Sequence, residues 1–567
     1  MTTTRTIANL WRNSVAAGHP EPAYLQEVDG EWREVPRREA EAAVAELAYA
    51  LLALGVEKGQ AFALLARTSL ELAYFDFALG LVGAVGAPIY ASSSPRDVQY
   101  VLEHSQAVGV LVEDEEQRAK LGTFAGHVFS FADLPALREQ GREYAAAHPR
   151  ALDERADSID EDDLFTFIYT SGTTGPPKAC MIRHRNYYAM VQKGDEMDDR
   201  LIEPDDVCLL YLPLAHNYGR LVHLSAAYNG FAIAFLTDPL RVGSELQRVR
   251  PTLFPSVPRV YEKIHAAVAA GMAAQTGPKR KLADWGLGVG YRVSALRQAK
   301  QPVPATLALQ HRVADKLVYA KVKDRLGGRL RVANSGGAPL AREIAEFFAA
   351  IDLVVLEGYG LSEVTTAATV NRANDYRFGT VGKPMPGVEL RIADDGEILI
   401  RSDTVFAGYY HDDEATSSTL DAEGFVHTGD VGHLDADGFL VITDRKKDIL
   451  VTAGGKNVAP QNLENELKVD PVISQVLVVG DRRPYVAALV TVDPDQAKAL
   501  SDSDLQSAVQ AAIDRVNADR SRYEQIKRFT VLPREFSLEH DEVTPTLKLR
   551  RKVILDHFAE DVEALYL

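Results

Sequence analysis

The chain has only two cysteines, Cys180 and Cys208, in 567 residues. That is too few for a disulfide framework or a cysteine-built zinc site, and it suits a reducing compartment. Positive charge is also short. There are 62 Lys and Arg against 80 Asp and Glu, a formal charge of −18. A chain this acidic is poorly suited to nucleic acid, and an anionic ligand needs a locally basic site. Long apolar runs are missing as well. Those near residues 75–91 and 221–236 are broken by Asp76, Pro88, His223 and Asn229. Neither reads as a span of ~20 apolar residues. The start, "MTTTRTIANLWRN", has no apolar core of signal-peptide type. The expectation is a cytoplasmic protein without a membrane-spanning helix.

What is present is globular in kind. Hydrophobic residues make up 46% and charged residues 25%, and the length calls for two or more domains. Strand-like and helix-like segments alternate over about 60–360, which predicts an α/β fold of mainly parallel sheets covered by helices. Between about 379 and 441 short strands meet the turn sequences "DDG", "DAEG" and "DADG". These predict β-hairpins in a small barrel or distorted sheet. After the charged run at 444–448 a third texture begins, long enough for a separate α+β domain.

In such sheets, ligands bind beyond the carboxyl ends of strands. Three glycine-rich strand ends stand out. "YTSGTTGPPK" offers hydroxyls on Thr170, Ser171, Thr173 and Thr174, turns at Gly172 and Gly175, and the charge of Lys178. Its lysine is misplaced for G-x-x-x-x-G-K-[ST], and a plain polar turn explains it equally well. "NSGGAPL" includes Gly337 and Ala338. "EGYGLSE", residues 357–363, brings Tyr359 to stack on a base and Glu363 as a hard ligand for Mg²⁺. Taken alone, these read more readily as a structural tyrosine in a strand-to-helix turn and a helix-start glutamate. Asp430 in "HTGD", the cluster Arg445, Lys446 and Lys447, and Lys548 in "TPTLKLRRK" have bland readings too: a turn aspartate, a linker and a solvated tail.

As a set and in this order, these segments resemble the adenylate-forming superfamily of AMP-dependent synthetases and ligases. The likeness runs over nearly the whole chain. "LPLAHNYGR", "PSVPRVYEKI", "SGGAPL", "DRKKDI" and "TPTLKLRRK" bring it nearest to long-chain fatty acyl-CoA synthetases. Three departures are visible. Ala179-Cys180 stands where Gly-Val is common, Ser362 stands where Thr is usual, and Lys548 has no preceding Gly. Cys180 reads as a small buried residue.

The resemblance implies a large N-terminal adenylation domain over 1–444, with its β-rich part at about 379–441. A small mobile C-terminal domain would follow over 445–567, hinged near Lys447. It implies ATP, Mg²⁺ and coenzyme A as cofactor and co-substrates, with a medium-to-long fatty acid as the acid. The 171–178 loop would hold the β- and γ-phosphates, with Thr170 and Ser362 near phosphate oxygens. Gly337, Ala338 and Tyr359 would line an adenine pocket, with Glu357, Gly358 and Gly360 of the same turn among the nucleotide-binding residues. Asp430 and Arg445 would hold the ribose, and Glu363 the metal. His216 would lie by the carboxylate, with a satisfied core histidine as the lesser alternative. Lys548 would serve adenylation, and Gly454, Gly455 and Lys456 the second half-reaction.

The chemistry explains the need for cations. Adenylation pushes one anion against another, and unit charges at 4 Å repel by about 4 kcal/mol at an effective dielectric near 20. Three points stay open: a carrier protein or an aryl acid in place of CoA or the fatty acid, peripheral membrane contact, and a homodimer.

Overall fold

A computed structural model describes residues 4–170, 176–197, 201–544 and 548–567. The predicted α/β architecture is present as two large sheets. One has six strands, in the order His127–Ser130, Gly109–Val112, Ala61–Leu65, Val85–Ile89, Leu164–Thr170 and Lys178–Arg183. All its pairs are parallel except the last. The second has nine strands. At its centre, Val355–Tyr359, Val332–Ser335, Leu253–Ser256, Val207–Leu210, Ala232–Phe235 and Tyr24–Val28 run parallel in that order.

Parallel strands covered on both faces read as unbroken apolar runs. "AFALL" and "VGAPI" are buried at every residue. The helices between them are bounded by local chemistry. Ser69 accepts from the Leu72 N–H to start Leu70–Val82, and Gly83 ends that helix at φ 69°, a conformation open to glycine at little cost.

The β-rich segment is an antiparallel sheet of Glu389–Ile392, Glu397–Arg401, Val426–Leu434 and Leu440–Arg445. Its strand order is open-ended, so the expected barrel is an incomplete one. The aspartates of its turns act alike. Asp421 accepts from the N–H groups of Glu423 and Phe425, and Asp435 from those of Asp437 and Phe439. Ile398, Ile400, Val426 and Leu440 share one core with the large sheets. The last strand runs through Arg445.

Beyond it, Ile473–Val479, Val486–Val492 and Ile526–Val531 form a three-stranded sheet. Its two apolar faces are filled by residues 450–565 alone. The C-terminal part therefore has its own core. Among the described residues no helix is long and apolar enough to cross a membrane.

Candidate active site

The carboxyl ends of the parallel strands deliver the predicted turns to one cleft. Strand Val332–Ser335 ends at the 336–337 glycines, and strand Val355–Tyr359 ends beside them. Gly337 has φ 84° and nothing within 4 Å of where a Cβ would stand, so the backbone is open to a flat ligand. Ala338 next to it is exposed. Gly360 has the opposite constraint. A Cβ there would stand 1.9 Å from the Thr366 carbonyl oxygen. Gly358 has the Thr369 carbonyl at 3.3 Å from the same position.

Tyr359 donates its hydroxyl to Asp430 Oδ2 at 2.7 Å, and Arg445 Nε stands 3.2 Å from Asp430 Oδ1. Asp430 and Arg445 face each other in the antiparallel ladder. Burial and Asp430 together push the tyrosine hydroxyl well above its ordinary range. This keeps it a donor. The register of two strands thus builds a ring, a carboxylate and a guanidinium in sequence.

Glu357 is tied into the turn itself. Its carboxyl is 5% exposed and accepts from the Leu340 N–H at 3.0 Å. Burial raises it to about 8. The side chain braces the 335–340 turn.

Glu363 lies in the 3₁₀ turn Ser362–Val364 and is half-buried. Its Oε1 accepts from the Tyr409 hydroxyl at 2.5 Å. Thr365 and Thr366, just beyond, have φ of 52° and 99°. Two β-branched residues in the left-handed region are costly and mark a held conformation. Hydrogen bonds from Thr365 to the Thr404 carbonyl and from Thr366 to the Asn217 carbonyl support them. The Ser362 carbonyl accepts from Asn217, the residue after His216.

His216 is neither a free group nor a core histidine. It caps the helix Asn217–Asn229, with Nδ1 accepting from the Tyr218 N–H at 3.2 Å. That bond leaves the proton on Nε2. Burial, then Lys548, lowers the imidazole to about 3, so it is a neutral donor at any ordinary pH.

Lys548 comes from the other domain. Thr544 N–H donates to its carbonyl at 2.8 Å, and its own N–H returns a bond to Thr544 Oγ1 at 3.0 Å. The side chain keeps access to water yet stands in a crowded cleft. Crowding and then Arg445 lower its ammonium to about 8, against the pull of Asp430 and Glu363. Glu363, Asp430, Arg445, His216 and Lys548 thus share one cleft.

Strand Leu164–Thr170 pairs antiparallel with Lys178–Arg183, joining Thr170 to Lys178 across the hairpin. Thr170 Oγ1 donates to the Lys178 carbonyl at 3.4 Å. Ser171, Gly172, Thr173, Thr174 and Gly175 lie outside the described residues. Lys178 stands 3.5 Å from Asp412 and over the Tyr409 ring at 5.2 Å, one ring away from Glu363. Lys447 follows the final strand residue Arg445 by two.

Gly454, Gly455 and Lys456 form an exposed hairpin tip between Leu450–Val451 and Asn457–Val458. Its partners are Arg483 and Tyr523 of its own domain. The structure therefore brings Lys548 to the cleft and leaves this tip apart from it. Tyr409, Asp412 and Asn217 were missed in the sequence. Asn217 lies inside a recognised segment, whereas Tyr409 and Asp412 lie in "GYYHDD", outside every motif used. Cys180 is fully buried, its thiol raised by burial.

Comparison with known proteins identifies the family. Residues 12–410 match the AMP-binding enzyme family, and residues 447–567 match the AMP-binding enzyme C-terminal domain. The chain is 38% identical to the long-chain-fatty-acid–CoA ligase FadD15 of Mycobacterium bovis, over 96% of this chain and 94% of that one. It is 30% identical to the long-chain-fatty-acid–CoA ligase ACSBG1 of Bos taurus, over 95% and 82%. In fold it is similar to the adenylation domain of a carboxylate reductase from Mycobacterium chelonae. That match has a TM-score of 0.80 at 24% identity, covering 99% of this chain and 91% of that one. It is also similar to the anthranilate CoA ligase AuaEII in complex with anthranoyl-AMP. There the TM-score is 0.76 at 20% identity, covering 100% and 99%. The chain therefore belongs to the AMP-binding enzyme family.

Proposed function

We propose that the protein is an AMP-forming fatty acid–CoA ligase acting on medium-to-long-chain acids. The observation that carries this reading is the meeting of Lys548 with Glu363, Asp430, Arg445 and His216 across the two domains. Likeness over nearly the full length to long-chain-fatty-acid–CoA ligases supports the substrate class.

In the first half-reaction a carboxylate oxygen attacks the α-phosphorus of ATP. The bond to the β,γ-pyrophosphate breaks, and pyrophosphate leaves with the electron pair. Tyr359 stacks on the adenine, its ring fixed by Asp430, while Asp430 and Arg445 take the ribose hydroxyls. Gly337 and Ala338 give the base an unobstructed wall. Thr170, Ser362 and the 171–178 loop with Lys178 hold phosphate oxygens. His216 donates from Nε2 to the acid's carboxylate oxygen, and Lys548 balances the charge where the anions meet.

Glu363 fits Mg²⁺ as a single protein ligand. Tyr409 occupies only Oε1, and among the described residues no group of three His, Cys, Asp or Glu could hold an ion unaided. Phosphate and water ligands would complete the shell, as is usual for this ion. Bound there, the ion would supply charge neutralisation on the phosphates.

In the second half-reaction the CoA sulfur attacks the acyl carbonyl carbon and AMP leaves. We assign residues 1–444 to the adenylation domain, with 379–441 as its β-rich part, and 445–567 to a lid that turns about Lys447. The turn withdraws Lys548 and brings in Gly454, Gly455 and Lys456. The end of the last half-barrel strand at Arg445 supports a hinge just beyond it. Because acids of this length partition into bilayers, we add transient contact with a membrane surface.

Pyrophosphate release with ATP and palmitate tests the reading. A single turnover of acyl-AMP is expected without CoA, and continuous thioester formation with it. Silence with every carboxylic acid from acetate to palmitate would end the proposal.

A further inference from the structure

Residues 277–325 carry charge opposite to the rest of the chain. They hold eleven Lys and Arg against three Asp, a net +8 inside a total of −18. They fold as helix Gly277–Gln298, helix Ala305–Ala314, a π turn at Asp315–Tyr319 and helix Ala320–Arg325. The inward face is fully used. Ala283, Val289, Val293 and Ala314 are buried, and the Tyr319 hydroxyl donates to the Gly286 carbonyl at 2.7 Å.

Among the described residues, the outward face has no partner. Leu309, Val313 and Leu317 recur at four-residue spacing and are 62%, 43% and 42% exposed. Arg312 and Lys316 run beside them at the same spacing. Arg292 donates to Gln310, and Gly286 packs on Val318, so the two helices are antiparallel and Trp285 lies level with Leu317. Trp285 is itself exposed, with Lys281 one turn before it. Other cations of the segment are neutralised locally: Arg280 by Asp284, Arg297 by Asp352 and Lys323 by Asp315. Among the described residues, Lys281, Arg292, Arg312 and Lys316 have no carboxylate partner.

We propose that this helical face docks on a bilayer surface of anionic phospholipid, with the helices lying in the headgroup plane. Leu309, Val313, Leu317 and Trp285 enter the headgroup–acyl boundary, and Lys281, Arg312 and Lys316 meet the phosphates. Interleaved leucine, tryptophan and unpaired cations are what an in-plane helix needs. A protein partner would favour an interface centre depleted in lysine. A second copy using the same face would set Lys281, Arg312 and Lys316 against their like. The remaining chain, at −26, is repelled by the same lipids, which fixes which side faces the membrane. The docking stands apart from the ligase reading and rests on that reading only for its use, the capture of acids dissolved in the bilayer.

The test is co-sedimentation of the full chain with vesicles of phosphatidylcholine, alone or mixed with phosphatidylglycerol, at low and high salt. Wild type is expected to bind the mixed vesicles and to release in high salt. K281Q/R312Q/K316Q, which removes three charges, should weaken binding on the order of 100-fold. L309S/V313S/L317S should weaken it too and reduce the residue that salt leaves bound. Both variants should keep wild-type pyrophosphate release with a short water-soluble acid, which shows that they are folded. Wild type that ignores anionic vesicles, or a charge variant that binds like wild type, overturns the proposal. So does a wild-type dimer, seen by light scattering, that the serine variant splits without changing vesicle binding, because the face then belongs to a second copy. Loss of pyrophosphate release in wild type with vesicle binding intact removes the ligase reading and leaves the docking standing.

Discussion

Arg220 and Asp76 form an ion pair with both side chains at most 2% exposed, one helical turn below His216. The guanidinium also donates to Thr166 on the strand that leads to Thr170, and Thr166 donates to the Gly86 carbonyl at 2.7 Å. Burial pushes the carboxyl up while Arg220 holds it down. The pair ties the helix that carries His216 to the strand that carries the phosphate-side hairpin. Removing one partner strands the other charge, so Asp76→Ala should cost about 3–5 kcal/mol. Asp76→Leu with Arg220→Met should recover most of that loss. Urea unfolding followed by N-terminal-domain tryptophan fluorescence measures both, and a double variant that loses the sum of the two single-variant losses would argue that the two do not act as a pair.

Lys548 gives the sharpest kinetic expectation. Lys548→Ala should abolish acyl-AMP formation and largely spare thioester formation from supplied acyl-AMP. Its ammonium at about 8 must stay charged to offset the phosphates. The kcat/KM for adenylation, which reports the free enzyme, should therefore fall as pH rises through about 8. Thioester formation should lack that limb, and Lys548→Arg should remove it from adenylation. Equal loss of both half-reactions in the alanine variant sinks the domain alternation.

Much of this site is local and therefore legible in sequence. Gly337, Tyr359, Glu363, Asp430 and Lys548 each sit in a short segment whose residue types stand out in the sequence, at a turn or on a strand. Their meeting is not local. Asp430 and Arg445 are brought opposite each other by strand register, and Lys548 by the position of a whole domain. Glu357 looks like a ligand beside a glycine turn, and only the structure shows that its carboxyl is buried and bound to the Leu340 N–H. Tyr409 escaped because its bond to Glu363 spans 46 residues, and a tyrosine in the loop before a helix carries no pattern that says so. The basic 277–325 stretch is countable in the sequence, yet only burial separates its packed face from its bare one.

Glu357 makes stability depend on pH in a defined direction. Its carboxyl is raised from 4.5 to about 8 in the folded chain. Between those values the folded state holds a proton that the unfolded state has lost. Its contribution is therefore fully present below about 4.5, declines as pH rises, and is gone above about 8. Glu357→Gln mimics the protonated form. The Tm difference between Glu357→Gln and wild type should grow with pH up to about 8 and then level off. A difference independent of pH would mean that the carboxyl is ionised throughout.

Tyr409→Phe removes the hydroxyl on Glu363 Oε1 and leaves the carboxylate in place. A hydrogen bond to a charged group is worth about 1.5–3 kcal/mol. If orientation of Glu363 matters to the phosphates, adenylation should slow by about 10- to 100-fold. The Mg²⁺ concentration for half-maximal rate should rise with it. A variant slower by that factor at an unchanged Mg²⁺ requirement would separate Tyr409 from the metal.

Arg259 holds the domains in the arrangement that puts Lys548 in the cleft. It donates to the Ser474 carbonyl at 2.7 Å and to Ser474 Oγ at 2.6 Å, and stands 3.2 Å from Glu535. Three residues on, buried Glu262 meets Lys468 at 3.4 Å. Helix Pro258–Ala273 thus grips the C-terminal domain at two points. On the proposed domain alternation both grips would have to release for the second half-reaction, so they would favour the first at its expense. Arg259→Ala loses charge-assisted bonds worth about 1.5–3 kcal/mol, which shifts the domain equilibrium by that amount. Adenylation should slow by about 10- to 100-fold, while thioester formation from supplied acyl-AMP should be unchanged or faster. Adding Lys468→Ala should extend the shift in the same direction. A parallel fall in both half-reactions would assign Arg259 to stability of the helix and not to the choice between domain arrangements.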